Sequence, residues 1–371
     1  MTSWARLALL RAAGLPLRLL GRLPAPVLRL VAGPPRVVAG RTLAVDVQAA
    51  QRLLGTAPER PPGAPVDAAG MRRRTAVQAA LVGARPRVHR VVELVLPRPD
   101  GTLAARAYRP APGRAPGVVV YLHGGGWVTG DLETHDGVCR VLALETGFDV
   151  VAVDYRRAPE HRYPAAVTDA VAAFRAVRDH PAAQGRPVAV AGDSAGGCLS
   201  AVVARRTRDD TRAGGAPGSG APAAQLLLYP GTDMTRHRPS YALFGTGYQL
   251  GAADVDVYRD LYLGAEPPGA AGPPPEAAEP DASPLLAEDA DLAGVAPAHV
   301  VVAGFDVMHD EGVAYAERLR TLGVPTRLVV EEGLVHAFGN AAGALPTAAR
   351  ALRSAARGLR EAVADTAPEL R

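Results

Sequence analysis

The motif GDSAGG at residues 192–197 has the composition of a nucleophile turn. Ser194 lies between Gly192 and Gly196 in a G-x-S-x-G pattern, directly after the apolar run PVAVA and before a stretch of helical character. A sharp turn between a strand and a helix strains the serine backbone and projects its hydroxyl, so small residues are needed on both sides. The pattern predicts that Ser194 acts as a nucleophile.

A second glycine-rich motif, HGGGW at residues 123–127, follows another apolar run. Glycine N–H groups in such a loop can point at an oxyanion that develops during acyl transfer. We expect Gly124 and Gly125 to donate from one side and Ala195 from the other. A phosphate-binding loop of the Walker type is the alternative, but it requires a lysine, and this chain contains none.

A serine nucleophile needs a base, and the base needs a group that holds its tautomer. In hydrolases with a G-x-S-x-G turn these residues follow in the order serine, acid, histidine. Among the nine histidines, His336 in EEGLVHAFGN comes after the apolar run TRLVV, where a loop can bring it over Ser194. We predict that His336 is the base. His123 belongs to the glycine loop and His161 to the motif RRAPEHRYP. The histidines interpreted as surface or packing residues are His89, His135, His180, His237 and His299.

The segment GFDVMHDEG at residues 304–312 contains three acids with different predicted roles. Asp306 comes about two residues after the run AHVVVA, which places it at the same sheet edge as the serine and predicts it as the orienting acid. Asp310 and Glu311 begin a helix, where acids cap free N–H groups and complement the helix dipole. A metal site from Asp306, His309 and Asp310 is the alternative, but one histidine with flexible carboxylates is a weak ligand set.

Short β-branched runs alternate with helical stretches from about residue 91 onward, which predicts a mostly parallel sheet of eight strands in a doubly wound α/β fold. The first two runs flank the turn PRPDGT and predict an antiparallel hairpin. The predicted strands are 91–96, 103–108, 117–122, 148–153, 187–191, 224–229, 298–303 and 326–330. The predicted helices are 135–146, 164–179, 196–207, 312–322 and 342–364.

Two segments fall outside this alternation and are candidates for a cap. We predict an N-terminal helical cap region over residues 1–88 and a catalytic domain over 89–371, interrupted by a cap insertion at about 232–290. The Pro-rich stretch EPPGAAGPPPEAAEP within the insertion is expected to be a loop. Helices from both segments can cover the ends of the strands, where open α/β sheets bind ligands.

Composition limits the function classes that fit this chain. It has 371 residues, 48% of them hydrophobic, and a net charge of +4; its 41 basic residues are all arginine, spread along the chain and matched by 37 acids. We therefore expect no nucleic-acid partner. Cys139 and Cys198 are too few for a disulfide framework or a multi-cysteine zinc site, which favours a reducing, cytoplasmic location.

The N-terminus alternates leucine-rich stretches with arginines, and its apolar runs are too short for a secretory signal or a membrane span. Two interpretations stay open for it. The first is a set of short amphipathic helices that cover the body of the protein. The second is weak, reversible contact with a membrane surface.

The ordered motifs HGGGW, DYRRAPEHRYPAAVTDA, GDSAGG, GFDVMHDEG and VHAF resemble those of hormone-sensitive-lipase-like α/β hydrolases, bacterial carboxylesterases in particular. The resemblance covers about residues 90–345. It implies Ser194 as nucleophile, His336 as base, Asp306 as orienting acid, and a helical cap. It also implies an oxyanion hole from Gly124, Gly125 and Ala195, and a reaction that needs no metal or cofactor. The chain departs from the family pattern in VHAF, where HGF is usual, and at His309, where arginine is usual.

The expected activity is hydrolysis of short to medium acyl esters through an acyl-enzyme. An amide or N-acetyl deacylase with the same triad is the nearest alternative. A non-catalytic binding protein is a second one, since plant gibberellin receptors resemble this family but lack a working histidine; His336 argues against it. A homodimer stays open as an assembly state.

Overall fold

The computed structural model describes residues 14–55, 66–211, 218–265 and 272–366. An eight-stranded sheet forms the centre of the protein, with the strand order β10-β9-β8-β7-β5-β6-β4-β3. Its six strands from β5 to β10 are parallel, and β3 and β4 form an antiparallel hairpin at one edge. The strands are β3 (Arg90–Arg98), β4 (Gly101–Arg109), β5 (Val118–Leu122), β6 (Asp149–Val153), β7 (Val188–Asp193), β8 (Gln225–Leu228), β9 (Ala298–Phe305) and β10 (Thr326–Val335); β1 (Val37–Val38) and β2 (Arg41–Thr42) form a separate hairpin.

Helices pack on both faces of the sheet, so the central strands are buried on both sides. This explains why β5 and β7 are continuous apolar runs without alternating polar residues. The predicted α/β fold with an eight-stranded, mostly parallel sheet flanked by helices is confirmed. The described helices are α1 (Leu15–Leu20), α2 (Ala25–Ala32), α3 (Val45–Leu54), α4 (Ala68–Val82), α5 (Asp136–Thr146), α6 (Ala165–Asp179), α7 (Ala195–Arg206), α8 (Pro239–Phe244), α9 (Ala252–Leu263), α10 (Asp289–Leu292), α11 (His309–Thr321) and α12 (Pro346–Thr366), with short 3-10 turns at Pro181–Ala183, Pro275–Ala278, Pro284–Leu286 and Phe338–Ala341.

The last strand is longer than its predicted range of 326–330. Its register shifts between Glu331 and Val335, and Val335 pairs again with Phe305 of β9. Because of this irregularity, the second half of the strand lacks the continuous apolar pattern by which a strand is recognised in the sequence. The last helix starts later than predicted, at Pro346, because residues 342–344 form a turn after the 3-10 segment Phe338–Ala341.

The N-terminal segment folds into helices with a small core of their own, formed by Leu20, Leu28, Ala32 and Ala49. The predicted short amphipathic helices are present here as α1 and α2, and residues 1–13 of the prediction lie outside the described part of the chain. Among the described residues, no helix is both long and apolar enough to cross a membrane.

The segment after β8 packs over the glycine loop. Helix α9 places Tyr262 flat against Trp127, with ring centroids 4.5 Å apart and an interplanar angle of 8°. Tyr258 of the same helix lies so close to Gly126 that a Cβ there would be 2.3 Å from its ring. The two segments that break the alternation in the sequence therefore both lie against the catalytic body.

Asp46 of α3 joins the N-terminal segment to the C-terminal helix. Its buried carboxylate accepts the Thr347 N–H at 2.8 Å, in the first turn of α12, and so caps that helix from a distant part of the chain.

We expect Asp46→Ala to lower the free energy of unfolding by about 1–2 kcal/mol, because the cap is lost. Urea unfolding followed by circular dichroism measures this. Asp46→Asn keeps an acceptor oxygen and is the matched control; equal losses in both variants would contradict the capping role.

Candidate active site

Ser194 occupies a strained turn between β7 and α7. Its backbone angles are φ 52° and ψ −119°, a conformation that non-glycine residues rarely adopt. A Cβ at Gly192 would lie 2.2 Å from the Gly196 carbonyl oxygen, and one at Gly196 would lie 1.9 Å from the Leu122 carbonyl oxygen. Both flanking glycines are therefore required by close backbone packing, as the sequence pattern predicts.

The structure brings the predicted base and acid to this serine. His336 directly follows β10 and places Nε2 2.9 Å from Ser194 Oγ. Its Nδ1 lies 2.7 Å from Oδ2 of Asp306, which directly follows β9. The other Asp306 oxygen accepts the Met308 N–H at 3.0 Å, so both carboxylate oxygens are fixed. All three side chains are buried, and each comes from the carboxyl end of a strand in the same half of the sheet.

The proposed donor set for an oxyanion needs one correction. The prediction for Gly124 is wrong, because its N–H donates to Asp193 Oδ1 at 2.8 Å and is not available to a substrate. The N–H groups of Gly125, Gly126 and Ala195 donate to no other described residue. Gly125 and Gly126 also line the cavity in front of Ser194. The available donors in the glycine loop are thus shifted by one residue from the predicted pair.

Asp193, the residue between Gly192 and the serine, holds the glycine loop from below. Its carboxylate also accepts the Tyr121 hydroxyl at 2.5 Å and lies 3.4 Å from His135 Nε2. Burial alone would raise the pKa of Asp193, but His135, Tyr121 and the Gly124 N–H together hold it below its usual value. The carboxylate is therefore ionised and fixes the loop. This role is not evident from the sequence, in which an acid next to the serine is the one available signal.

His123 supports the same loop as a neutral side chain. Its Nδ1–H donates to the Gly124 carbonyl at 2.8 Å, and its ring stacks on Tyr155 with centroids 4.2 Å apart. Burial, with the nearby His135, lowers the pKa of His123 to about 3. It belongs to the glycine loop as predicted.

The acids after Asp306 have contacts that the sequence did not indicate. Asp310 accepts the Ser240 N–H at 2.8 Å and Glu311 accepts the Thr232 N–H at 2.9 Å, so both bind the segment that follows β8. The capping prediction is wrong in this respect, since the two carboxylates accept from that segment and the N-cap residue Met308 provides no side-chain cap. Their position in its first turn still complements the helix dipole.

His309 connects this region to the N-terminal segment. Its Nδ1–H donates to the Ala303 carbonyl at 2.9 Å, which leaves Nε2 to accept from Arg41 at 2.8 Å. Arg41 also forms an ion pair with Glu332 at 2.9 Å. The described residues contain no group of three or more histidine, cysteine or acidic side chains suited to hold a metal ion.

A cavity of about 860 Å³ opens in front of Ser194 and His336. Its walls come from the glycine loop, from the N-terminal helices and from the segment that follows β8. Leu17, Leu54 and Met71 contribute apolar surface from the N-terminal side, and Tyr241 and Val255 from the other. Such a volume and lining are typical of a small-molecule site.

Comparison with known proteins places this geometry in a family. The family model of the alpha/beta hydrolase fold matches residues 119–340, which is more than half of the chain. The chain belongs to this family. The predicted resemblance to α/β hydrolases of the carboxylesterase type is confirmed.

Several members of the family are similar over most of this α/β hydrolase. A carboxylic ester hydrolase of Mycobacterium tuberculosis, LipN, is 40% identical over 350 residues, covering 91% of this chain and 88% of LipN. An ethyl acetate hydrolase of Pseudomonas putida is 38% identical over 67% of this chain and 75% of its own. A hyperthermophilic esterase from Pyrobaculum calidifontis has a solved structure with a TM-score of 0.75 and 35% identity, covering 86% of this chain and 98% of the esterase.

Glu311 makes the stability of this hydrolase depend on pH. Burial raises its pKa well above the usual value of 4.5, and the Thr232 N–H offsets this in part; its Oε2 has no hydrogen bond among the described residues. The folded state therefore holds a proton that the unfolded chain releases above about pH 4.5, so this group costs stability as the pH rises. We expect Glu311→Gln to gain stability relative to the wild type between about pH 4 and pH 8, in thermal unfolding at each pH. A stability difference between Glu311→Gln and the wild type that stays the same at every pH would contradict a neutral Glu311.

Proposed function

We propose that this α/β hydrolase is a serine carboxylic-ester hydrolase that acts on small ester substrates through an acyl-enzyme. The observation that supports this most directly is the hydrogen-bonded chain from Ser194 through His336 to Asp306, which faces a largely apolar cavity. Nucleophile, base and orienting acid have the distances that this chemistry requires.

Acylation starts with proton transfer from Ser194 Oγ to His336 Nε2. The hydroxyl oxygen attacks the ester carbonyl carbon, and the carbonyl π electrons move onto its oxygen. Asp306 keeps the proton on Nδ1 and stabilises the imidazolium that forms. His336 then gives its new proton to the leaving alcohol as the C–O bond breaks, which leaves the acyl group on the serine.

Deacylation repeats these steps with water. His336 takes a proton from a water molecule, whose oxygen attacks the acyl carbon. Collapse of the second tetrahedral intermediate releases the carboxylic acid and returns the proton to Ser194. No cofactor takes part in this sequence of steps.

The oxyanion in both intermediates is held by backbone donors. We assign Gly125, Gly126 and Ala195 to this role, since their N–H groups have no other acceptor among the described residues. Ala195 is also the first residue of α7, where the helix dipole favours negative charge. Preorganised donors of this kind contribute about 10²–10³-fold each to the rate.

Ester hydrolysis is favoured over the two alternatives. The similar proteins are named as ester hydrolases, which argues against an amide deacylase. A binding protein without catalysis does not need His336 within hydrogen-bonding distance of the serine. The cavity has room for short to medium acyl chains together with an alcohol group, which agrees with the expected substrates. The N-terminal segment and the segment at about 232–290 serve as the cap that encloses them.

The two aspartates of the acid segment provide a direct test of the triad. Asp306→Asn disrupts the tautomer of His336 and is expected to lower kcat by about 10⁴-fold for p-nitrophenyl butyrate. Asp310→Asn keeps an acceptor for the Ser240 N–H and is expected to leave kcat nearly unchanged. Similar losses in both variants would contradict the assignment. The proposed function would be overturned if the Ser194→Ala variant, shown to be folded by circular dichroism, kept the wild-type turnover.

A panel of p-nitrophenyl esters from acetate to palmitate tests the acyl chain-length preference. We expect the highest kcat/KM for short to medium chains, in line with the similarity to an ethyl acetate hydrolase. Matched acetanilides measure the amide reaction beside it. A maximum at palmitate, or faster amide than ester hydrolysis, would contradict this substrate class.

A further inference from the structure

Exposed apolar side chains are concentrated in the N-terminal helices. Eight of the eleven large hydrophobic residues that are exposed in the described structure lie between residues 15 and 54. Leu30 is 83% exposed and Leu54 is 60% exposed. Scattered exposed leucines are normal on a protein surface, whereas such a concentration marks an interaction surface.

Both short helices are apolar on two sides. In α1, Leu17 and Leu20 are buried while Leu15 and Leu19 are exposed. In α2, Leu28 and Ala32 are buried while Val27 and Leu30 are exposed. A helix with one buried side needs no second apolar side in water, so these outer sides indicate another apolar environment.

The same segment carries an excess of positive charge. Residues 1–45 contain seven arginines and no acid. Arg22 and Arg29 are exposed, and neither guanidinium group forms a hydrogen bond or ion pair with another described residue. A basic surface with exposed leucines is complementary to a membrane that contains anionic lipids.

This surface continues to the mouth of the substrate cavity. Helix α3 packs against α1 and α2 and ends in Leu53 and Leu54, which are both exposed. Leu54 also lines the cavity in front of Ser194. A side chain that lines the cavity while being mostly exposed lies at its opening, so a surface bound here would face that opening.

We propose that this N-terminal patch docks the protein on an anionic phospholipid surface. We define the patch by exposed apolar residues and by two arginines whose side chains have no partner among the described residues: Leu15, Leu19, Leu23, Val27, Leu30, Leu53, Leu54, Arg22 and Arg29. Insertion of the leucines to the level of the headgroups removes them from water, and the arginines meet the lipid phosphates. The contact is reversible, because two short helices insert a small area.

The docked position also indicates a source of substrate, a step that rests on the proposed function. Esters dissolved in the lipid phase would reach Ser194 through the opening beside Leu54 without crossing water. We therefore expect faster hydrolysis of a medium-chain acyl ester when it is carried in anionic vesicles than in neutral ones.

Binding is tested with the full-length Ser194→Ala variant, so that no lipid is consumed. Co-sedimentation with vesicles of phosphatidylcholine and phosphatidylglycerol should exceed that with phosphatidylcholine alone and should fall as salt is raised. The patch variant combines Leu30→Asn, Arg22→Gln and Arg29→Gln. We expect it to partition at least about 25-fold more weakly, since each arginine contributes about fivefold.

The matched control has the same changes at the opposite edge of the sheet: Val95→Asn, Arg90→Gln and Arg109→Gln, all exposed positions on β3 and β4. It should bind like the parent. Equal partitioning of both variants into vesicles would overturn the proposal. A patch variant that changes from dimer to monomer while its vesicle binding stays the same would also overturn it. With an intact Ser194, the patch variant should hydrolyse water-soluble p-nitrophenyl acetate at the wild-type rate, so a defect in catalysis is distinguished from a defect in docking.

Discussion

The active site depends on one close approach of two backbones. Gly192 and Gly196 let the turn at Ser194 pack directly on the carbonyl of Leu122, at the end of the neighbouring strand. Because β5 and β7 are adjacent, the same contact brings the glycine loop beside the serine hydroxyl. The strained φ of 52° at Ser194 is maintained by buried strands on one side and a buried helix on the other. A Cβ at either glycine would push the turn that carries the proposed nucleophile away from the loop that carries the proposed oxyanion donors.

Parallel strand order then supplies the remaining groups. Residues 194, 306 and 336 are far apart in the chain, but each follows a strand, and β7 to β10 lie in consecutive positions. Their carboxyl ends meet at one edge, where short turns fix the side chains. Below them, the ionised Asp193 accepts hydrogen bonds from the Tyr121 hydroxyl and the Gly124 N–H. That carboxylate occupies the N–H of the first glycine of the loop, and the next two glycines line the cavity.

The fold and the placement of Ser194, Asp306 and His336 at one sheet edge could be predicted because they follow from local patterns. These patterns are buried β-branched runs, glycines around a serine, and positions counted from strand ends. Contacts between distant segments could not. The Gly124 N–H looks equivalent to its neighbours in the motif HGGGW, and its use by Asp193 depends on how two loops meet. Asp310 and Glu311 are typical of a helix start, yet their partners come from a segment 70 or more residues earlier. Strand β10 was underestimated because its register irregularity breaks the apolar pattern.

The polar contacts of α11 explain how the cover of the cavity is held in place. An acid at this helix start that pointed to solvent would contribute little to the position of any other segment. Glu311 is instead buried beside Thr232, at a cost in free energy that protonation reduces because a neutral carboxyl is easier to bury than a charged one. On the other side, His309 and Arg41 attach the N-terminal segment to the same helix. The short stretch from Asp306 to Glu311 thus orients His336 and anchors both walls of the cavity, so the position of the walls is coupled to that of His336.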